Sequence, residues 1–133
     1  MSLAANALAT SVFARLSADP ALTSQLGPDG ISDHPRFSAA MPHVLLGAIE
    51  TGDFSTFTED GEEHLIAIEI WSDARGHQQA GAIAAAIHRA LDGADLVLDG
   101  AALVDLSWRS TRTRHDGRSD CHVTDMRFRA VTE

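Results

Sequence analysis

Apolar residues near the start of the chain recur at helical spacing. Over residues 3–16 they fall on one helical face, and alanines fill most of the remaining positions. The apolar members of that face are Leu8, Val12, Phe13 and Leu16. Asp19 suits an N-cap and Pro20 a first helical position, so a short second helix is predicted over 21–26.

The middle of the chain predicts a hairpin followed by a helix. Residues 44–50 and 65–71 have strand composition, and the polar stretch 51–63 between them is typical of an extended hairpin loop, so the strands should pair antiparallel. Ser72-Asp73 is predicted to cap a helix that ends at Asp92-Gly93. Its apolar face contains Ala80, Ile83, Ala84, Ile87 and Leu91.

The C-terminal third predicts further strands. Asp99-Gly100 favours a tight turn, so residues 96–98 and 102–110 are expected to form a hairpin. In the second of these strands Val104, Leu106 and Trp108 alternate with polar residues, which predicts a dry face that includes Trp108. A last strand over 124–130 alternates in the same way, after a loop over 111–120.

These elements predict an α+β two-layer sandwich in one domain spanning residues 1–133. We expect roughly four mainly antiparallel strands with the helices packed on one face. Residues 27–42 form a long irregular connection with a brief extended piece around Ile31. The helix-free face keeps charged side chains, which indicates either a solvated surface or an interface. They are Arg109, Asp125, Arg127 and Arg129.

The order of elements resembles that of a known family. Residues 56–72 hold an acidic turn at Asp60-Gly61 and an apolar strand ending in Trp71, and a helix rich in alanine and glycine follows. Together with residues 40–47 and the closing strand 126–133, this pattern resembles the short tail completion, or tail terminator, proteins. Siphophages and gene transfer agents encode these head–tail joining proteins beside their tail genes.

The resemblance implies a structural role without catalysis. Tail terminators form a ring, in the known cases a hexamer, which caps the tail tube at its head-proximal end, stops its polymerisation and presents a docking face to the neck. The implied partners are other copies of the chain, the tail tube protein and a neck or head–tail connector protein, with DNA only passing through the lumen. No catalytic residue, cofactor or metal is implied. Assembly would take place in the cytoplasm, and the protein would leave in a phage-like particle.

Charge and composition narrow the classes of function. The formal net charge of −9 disfavours unaided binding to nucleic acid or to an anionic membrane. The single Cys121 excludes an internal disulfide, and no apolar run is long enough to cross a bilayer. The first basic residue, Arg15, comes too late for the charged start of a secretory signal, so we expect a cytoplasmic protein.

Charge is also unevenly distributed along the chain. Residues 1–100 hold four arginines and fourteen acids, whereas residues 101–133 hold six arginines and five acids. We therefore expect the acidic loop 53–63 and the arginine loop 111–120, with the charged sheet face, to contact partners. The candidate interface residues are Asp53, Glu59, Asp60, Glu62, Glu63, Arg109, Arg112, Arg114, Arg118, Arg127 and Arg129.

Candidate chemistry in the sequence is sparse. His115, Cys121 and His122 form the closest cluster of metal-binding types, but Cys121 and His122 are neighbours in a strand and should point to opposite faces, so no metal site is predicted. One alternative is a small cytoplasmic hydrolase that uses His64 or His88 with a carboxylate. It would need a pocket holding a histidine with a perturbed pKa. Another is a monomeric ligand-binding module.

Overall fold

The computed structural model describes residues 2–27, 29–34, 40–73 and 77–133. Within them, three helices cover one face of a single five-stranded sheet with strand order β1-β2-β3-β5-β4. The elements are α1 (Leu3–Ser17), α2 (Pro20–Leu26), β1 (Ile31–Ser32), β2 (His43–Asp53), β3 (Glu62–Asp73), α3 (His77–Leu91), β4 (Leu103–Asp116) and β5 (Cys121–Thr132). This arrangement confirms the predicted α+β sandwich.

The prediction of four strands is one too low. The extended piece around Ile31 is the short strand β1, and it runs parallel to β2, with Ile31 opposite Val44 and Ser32 opposite Leu45. A strand of two residues is too short to produce a periodic signal in the sequence. Because β1 reaches only the start of β2, residues 46–53 of β2 form a sheet edge within the described part of the chain.

The N-terminal helices follow the predicted pattern. The Ser2 hydroxyl accepts a hydrogen bond from the backbone N–H of Ala5 and caps α1, and the Asp19 carboxylate does the same for Ala21 in α2. Gly27 ends α2 with a φ of 76°, where glycine avoids the strain of a side chain. Phe13 was expected on the apolar face of α1 but is 38% exposed.

The helix predicted after Ser72-Asp73 is confirmed over His77–Leu91, but its start lies further from Ser72 and Asp73 than the sequence indicated. Both belong to β3, since the pairing of β3 with β5 continues to Asp73 opposite Cys121. Residues 74–76 lie outside the described residues. The predicted helix end at Asp92-Gly93 is confirmed: the Asp92 N–H donates to the His88 carbonyl and Gly93 has a φ of 70°.

The predicted hairpin around Asp99-Gly100 is wrong in its first strand. Only one bridge, between Leu98 and Ala101, forms there, and β4 pairs with β5 instead. The side chains of Leu96 and Leu98 are buried in the core. The apolar signal at 96–98 therefore arises from packing and not from strand pairing.

The two predicted charged loops are shorter than expected. β2 continues to Asp53 and β3 begins at Glu62, so the connection between them is only 54–61. β4 continues to Asp116, and the turn before β5 is only 117–120. The strands continue to pair beyond their last buried side chains. The residues there are polar, so the sequence shows no alternation of apolar and polar positions from which this pairing could be predicted.

The core lies between the helices and the sheet. The apolar residues of β3 and β5 that face the helices pair across the strands, with Ile66 opposite Phe128 and Ile68 opposite Met126. All four are almost completely buried, as are Ile83 and Ile87 of α3. This packing confirms the predicted dry face of the last strand.

Trp108 departs from the prediction. It lies opposite the buried Phe128 and therefore on the helix side, yet it is 39% exposed. β4 is an edge strand, and register shifts between Leu103 and Asp105 and between Trp108 and Ser110 interrupt its alternation. The Trp108 ring packs 5.1 Å from the His88 ring, and its indole N–H donates to the Thr111 hydroxyl at 2.8 Å.

The two aromatic residues should differ in their effect on stability. Phe128→Ala should lower the free energy of unfolding by about 3–5 kcal/mol, because it removes a fully buried ring and leaves a cavity. Trp108→Ala should cost no more than about 2 kcal/mol, because part of that ring already contacts water. Chemical denaturation of both variants measures the difference, and equal losses would contradict the assigned exposure of Trp108.

Candidate interface on the charged sheet

The sheet face turned away from the helices is rich in charge. Successive strand residues alternate between the two faces, and residues opposite each other in neighbouring strands share a face. Because Ile66, Ile68, Met126 and Phe128 face the helices, their sequence neighbours face away. The charged residues of β3 and β5 on that outer face are Glu63, Glu69, Asp73, Asp125, Arg127 and Arg129.

An ion-pair network spans three strands at one end of this face. The guanidinium of Arg114 in β4 reaches Asp125 of β5 at 3.1 Å and Glu69 of β3 at 3.4 Å. Glu69 also accepts a hydrogen bond from the indole N–H of Trp71 at 3.2 Å. Each residue of this network therefore restricts the rotamers of the others, so the side chains of the network are held in one arrangement.

A second ion pair lies at the other end of the face. The Nε of Arg129 is 2.6 Å from a carboxylate oxygen of Glu63. The same guanidinium lies 5.2 Å from the centre of the Phe54 ring, a distance at which a cation attracts an aromatic face. Arg129 therefore ties the connection 54–61 to β5.

The predicted interface residues fall into two groups: those that already form contacts within the chain and those whose charge forms no salt bridge within the described ranges. Glu63, Arg114 and Arg129 are used in the two ion-pair sites just described. Asp53 accepts hydrogen bonds from the backbone and hydroxyl of Ser55. The others make no salt bridge with any residue in the described ranges. These are Glu59, Asp60, Glu62, Arg109, Arg112, Arg118 and Arg127.

The structure keeps the acidic connection 54–61 apart from the turn 117–120. Glu62, next to the connection 54–61, pairs with Thr132 at one end of β5, whereas the turn 117–120 precedes Cys121 at its other end. β5 has 12 residues, so the two ends lie roughly 35 Å apart. Glu62 also pairs with Thr132 on the helix side of the sheet, whereas Glu63 faces outward.

Two features of this surface were missed in the sequence. Residues 108–115 of β4 are all exposed, so this part of the strand is exposed on both faces. Phe54 and Phe57 on the connection 54–61 are exposed as well. The alternation in β4 predicts a dry face only for a strand without a register shift, and the structure has a shift at Arg109. Isolated phenylalanines in a polar stretch give no periodic signal.

The two histidines of the hydrolase alternative have different surroundings. His64 is fully buried, and its ring nitrogens each lie 2.9 Å from a threonine hydroxyl, of Thr51 and of Thr132. Burial lowers the pKa of His64, while the Glu62 charge opposes that shift. His88 lies 3.5 Å from Asp92, and its ring packs against that of Trp108 at a tilt of 42°. His64 has the perturbed pKa that this alternative requires, but its side chain is not exposed to solvent.

The candidate metal ligands are divided between the two faces as expected. Cys121 lies opposite Asp116, and His122 lies opposite His115 on the helix side. The His122 ring is 4.3 Å from the ring of His77 and 5.6 Å from that of His115. Among the described residues, no group of three or more histidine, cysteine or acidic side chains has a geometry that could hold a metal ion.

No helix in the described ranges is both long enough and apolar enough to cross a bilayer. The charged outer face, the exposed edge strand and the ordered connections are all surface features of the kind that mediate protein contacts.

Comparison with known proteins decides the family. A protein-family model described as tail completion protein gp17 matches residues 10–133. The chain belongs to the tail completion family. The match begins within α1 and includes every strand of this tail completion protein. The resemblance noted in the sequence is thereby confirmed.

A solved structure extends the comparison. This tail completion protein is 35% identical to a chain in the virion of a native gene transfer agent particle, with a TM-score of 0.89. The match covers 98% of this chain and 97% of that one. A search of the curated proteins finds no match.

The buried His64 should make stability depend on pH. The pKa of His64 is lowered in the folded state, so the unfolded chain binds a proton at this residue more readily than the folded chain does. The stability that neutral His64 supports is therefore lost as the pH falls below about 6.5. His64→Asn should therefore flatten the decline of stability between pH 7.5 and pH 5. Denaturation curves at several pH values measure it, with the exposed His115→Asn as control. Parallel declines in all three proteins would contradict the role of His64.

Proposed function

We propose that this tail completion protein forms a ring, most simply a homo-hexamer, at the head-proximal end of a phage-like tail tube. The ring stops polymerisation of the tube protein and provides the surface to which a neck or head–tail connector protein binds. DNA passes through its lumen without specific contacts. The protein is structural and not an enzyme. It assembles in the cytoplasm and remains in the released particle.

The observation that carries this proposal is the likeness to a virion chain over nearly the whole length of both proteins. A match of that extent includes the charged sheet, the edge strands and both hairpin connections, and not merely the helical layer. A common assembly role accounts for such likeness across the entire surface-bearing part of the domain.

The distribution of charge supports a head-to-tail contact between copies. Closed cyclic symmetry requires two different patches of one subunit to meet. The acidic connection, residues 54–61 with the flanking Asp53 and Glu62, lies at one end of the sheet, and the arginine strand, residues 109–118, occupies an edge that runs to the other end. Opposite charges at separate positions suit neighbours in a ring and oppose pairing of like patches.

The net charge of −9 supports the proposed lumen. A negatively charged ring repels phosphate over most of its surface, so DNA can pass without being held. Of the unused arginine candidates, three lie on β4 and the turn after it and Arg127 lies on β5, so each copy offers few cations to a channel.

The alternative functions have weaker support. The hydrolase requires an accessible histidine, and His64 is sealed inside the fold. A cleft of about 570 Å³ between α1 and β2 has the size of a ligand site, which is the observation that favours a monomeric binding module. Its lining is mostly apolar, with Asn6, Thr10 and Asp33 as the polar exceptions, so few groups converge to select a ligand.

The test is removal of the gene from the organism that produces the particles. Without this chain, tail tubes should exceed their normal length and remain unattached to heads, as electron microscopy measures directly. A plasmid copy of the intact chain should restore both length and joining. Tails of normal length attached to heads in the deletion strain would overturn the proposal.

Two free arginines provide a sharper prediction. Arg109→Ser with Arg112→Ser should leave the free energy of unfolding within about 1 kcal/mol, because neither residue has a salt-bridge partner in the described part of the chain. The double variant should nevertheless fail to restore joined tails in the deletion strain. Arg114 is left intact because it bridges Glu69 and Asp125.

Arg15→Ser is the matched control for this double variant. Arg15 is also exposed but lies in the last turn of α1, away from the arginine strand. It should restore normal tails. Full complementation by the double variant would show that the arginine strand is not a contact surface.

A further inference from the structure

Phe57 is the most exposed large apolar side chain among the described residues. It sits in the connection 54–61 and has no cover from any other part of the described chain, with a relative exposure of 111%. A phenylalanine held fully in water loses the favourable free energy that burial of its ring would bring. A side chain in this position suits a contact that the isolated chain does not provide.

The connection around Phe57 is ordered by its own hydrogen bonds. The Thr56 N–H donates to the Glu59 carbonyl at 2.8 Å, and the Glu59 N–H donates to the Thr56 hydroxyl at 3.1 Å, which closes a turn with Phe57 in it. At the base of the connection, the Phe54 N–H donates to the Gly61 carbonyl at 2.9 Å. The backbone that presents Phe57 is therefore ordered before any partner arrives, which reduces the entropy lost on binding.

A notch of suitable size lies at the opposite edge of the sheet. It is formed where α3 crosses β4 and β5, and its volume is about 350 Å³. The lining residues are Ala84, Ala85, His88, Arg89, Thr111 and Met126. The short alanine side chains and the buried Met126 leave an apolar floor that can receive one aromatic ring.

The charges around the two features are complementary. Glu59 and Asp60 follow Phe57 on its connection, and neither has a salt-bridge partner within the described ranges. Arg89 lines the notch, and Arg109 follows Trp108 in the strand beside it. The nearby Asp92 is already hydrogen-bonded to the backbone N–H of Trp108 and close to His88.

We propose that Phe57 of one copy of this chain inserts into the Ala85 notch of a second copy, with Glu59 and Asp60 facing Arg89 and Arg109 across the contact. The proposal rests on the self-assembly proposed above and names the residues that perform it. Phe57 and the notch occupy different positions on the molecule, so the contact is head-to-tail and can repeat around a ring. One copy cannot satisfy it alone, because β3 and β5 separate β2 from the edge strand β4.

Site-directed cross-linking in assembled particles tests this contact. Two chains with different affinity tags are co-expressed in the deletion strain, one with Thr58→Cys, which keeps Phe57, and the other with Ala85→Cys, both with the native buried Cys121 changed to Ser. Treatment of purified particles with a short bismaleimide should link the two tags in one band. Thr58→Cys paired with Gly117→Cys, an exposed position in the turn 117–120, is the matched control and should give no such band.

The outcomes separate this contact from the general role. If both chains are present in particles but the Ala85→Cys pair links no better than the Gly117→Cys pair, the contact is wrong while the tail role stands. Links from Thr58→Cys only to a different particle protein would also overturn it. If the chain is missing from particles and tails are normal without it, the proposed function fails and the contact fails with it.

Substitution of Phe57 gives an independent readout. Phe57→Ala should reduce the yield of head-joined particles by at least about tenfold, as expected for loss of an anchoring aromatic side chain. Phe57→Leu keeps an apolar anchor and should retain most of the yield. Both variants should unfold at the same denaturant concentration as the parent, because Phe57 is fully exposed in the single copy. Normal yield from Phe57→Ala would overturn the proposal.

Discussion

The fold depends on β5, which lies between β3 and β4 and pairs with each over its whole length. Its alternation sends Met126, Phe128 and Ala130 into the core and Asp125, Arg127 and Arg129 to the outer face. One strand thus organises both layers of the molecule. A shift of its register by one residue would bury the charges and expose the core at the same time.

Some charged residues of the outer sheet face hold neighbouring strands together, and others remain available for contacts with partners. Arg114 and Arg129 connect β5 with its neighbours through partly buried carboxylates, whereas Arg112 and Arg127 on the same sheet make no salt bridge in the described part of the chain. Exposed ion pairs add little to stability. The effect of the paired residues is mainly geometric, because they hold the strands' outer side chains in a defined pattern beside the free arginines.

The sequence predicted the fold best where burial follows a regular period. The helices over 3–16 and 77–91 and the face of β5 each present one apolar side to the core, so their residue types reveal them. Prediction failed where a residue is buried without belonging to a strand, or belongs to a strand without being buried. Leu96 and Leu98 are buried without a strand, whereas Arg112 and Arg114 are paired in a strand without burial. For the candidate interface, the residue types alone indicated which positions carry charge. That Arg114 bonds to both Glu69 and Asp125 could not be predicted without the pairing register of the strands.

Open sheet edges create a risk of uncontrolled strand pairing, and this chain limits it without covering either edge completely. β1 pairs with the first residues of β2, while the Gly93 N–H and the Asp92 carboxylate bond to Leu106 and Trp108 near the start of β4. Beyond those points, the register of β2 shifts between Leu46 and Ile49, and β4 carries closely spaced arginines. These features disfavour continuous backbone pairing between copies. In the proposed ring, association between copies would then depend on side chains, whose shape and charge can restrict it to one geometry and so to a closed assembly.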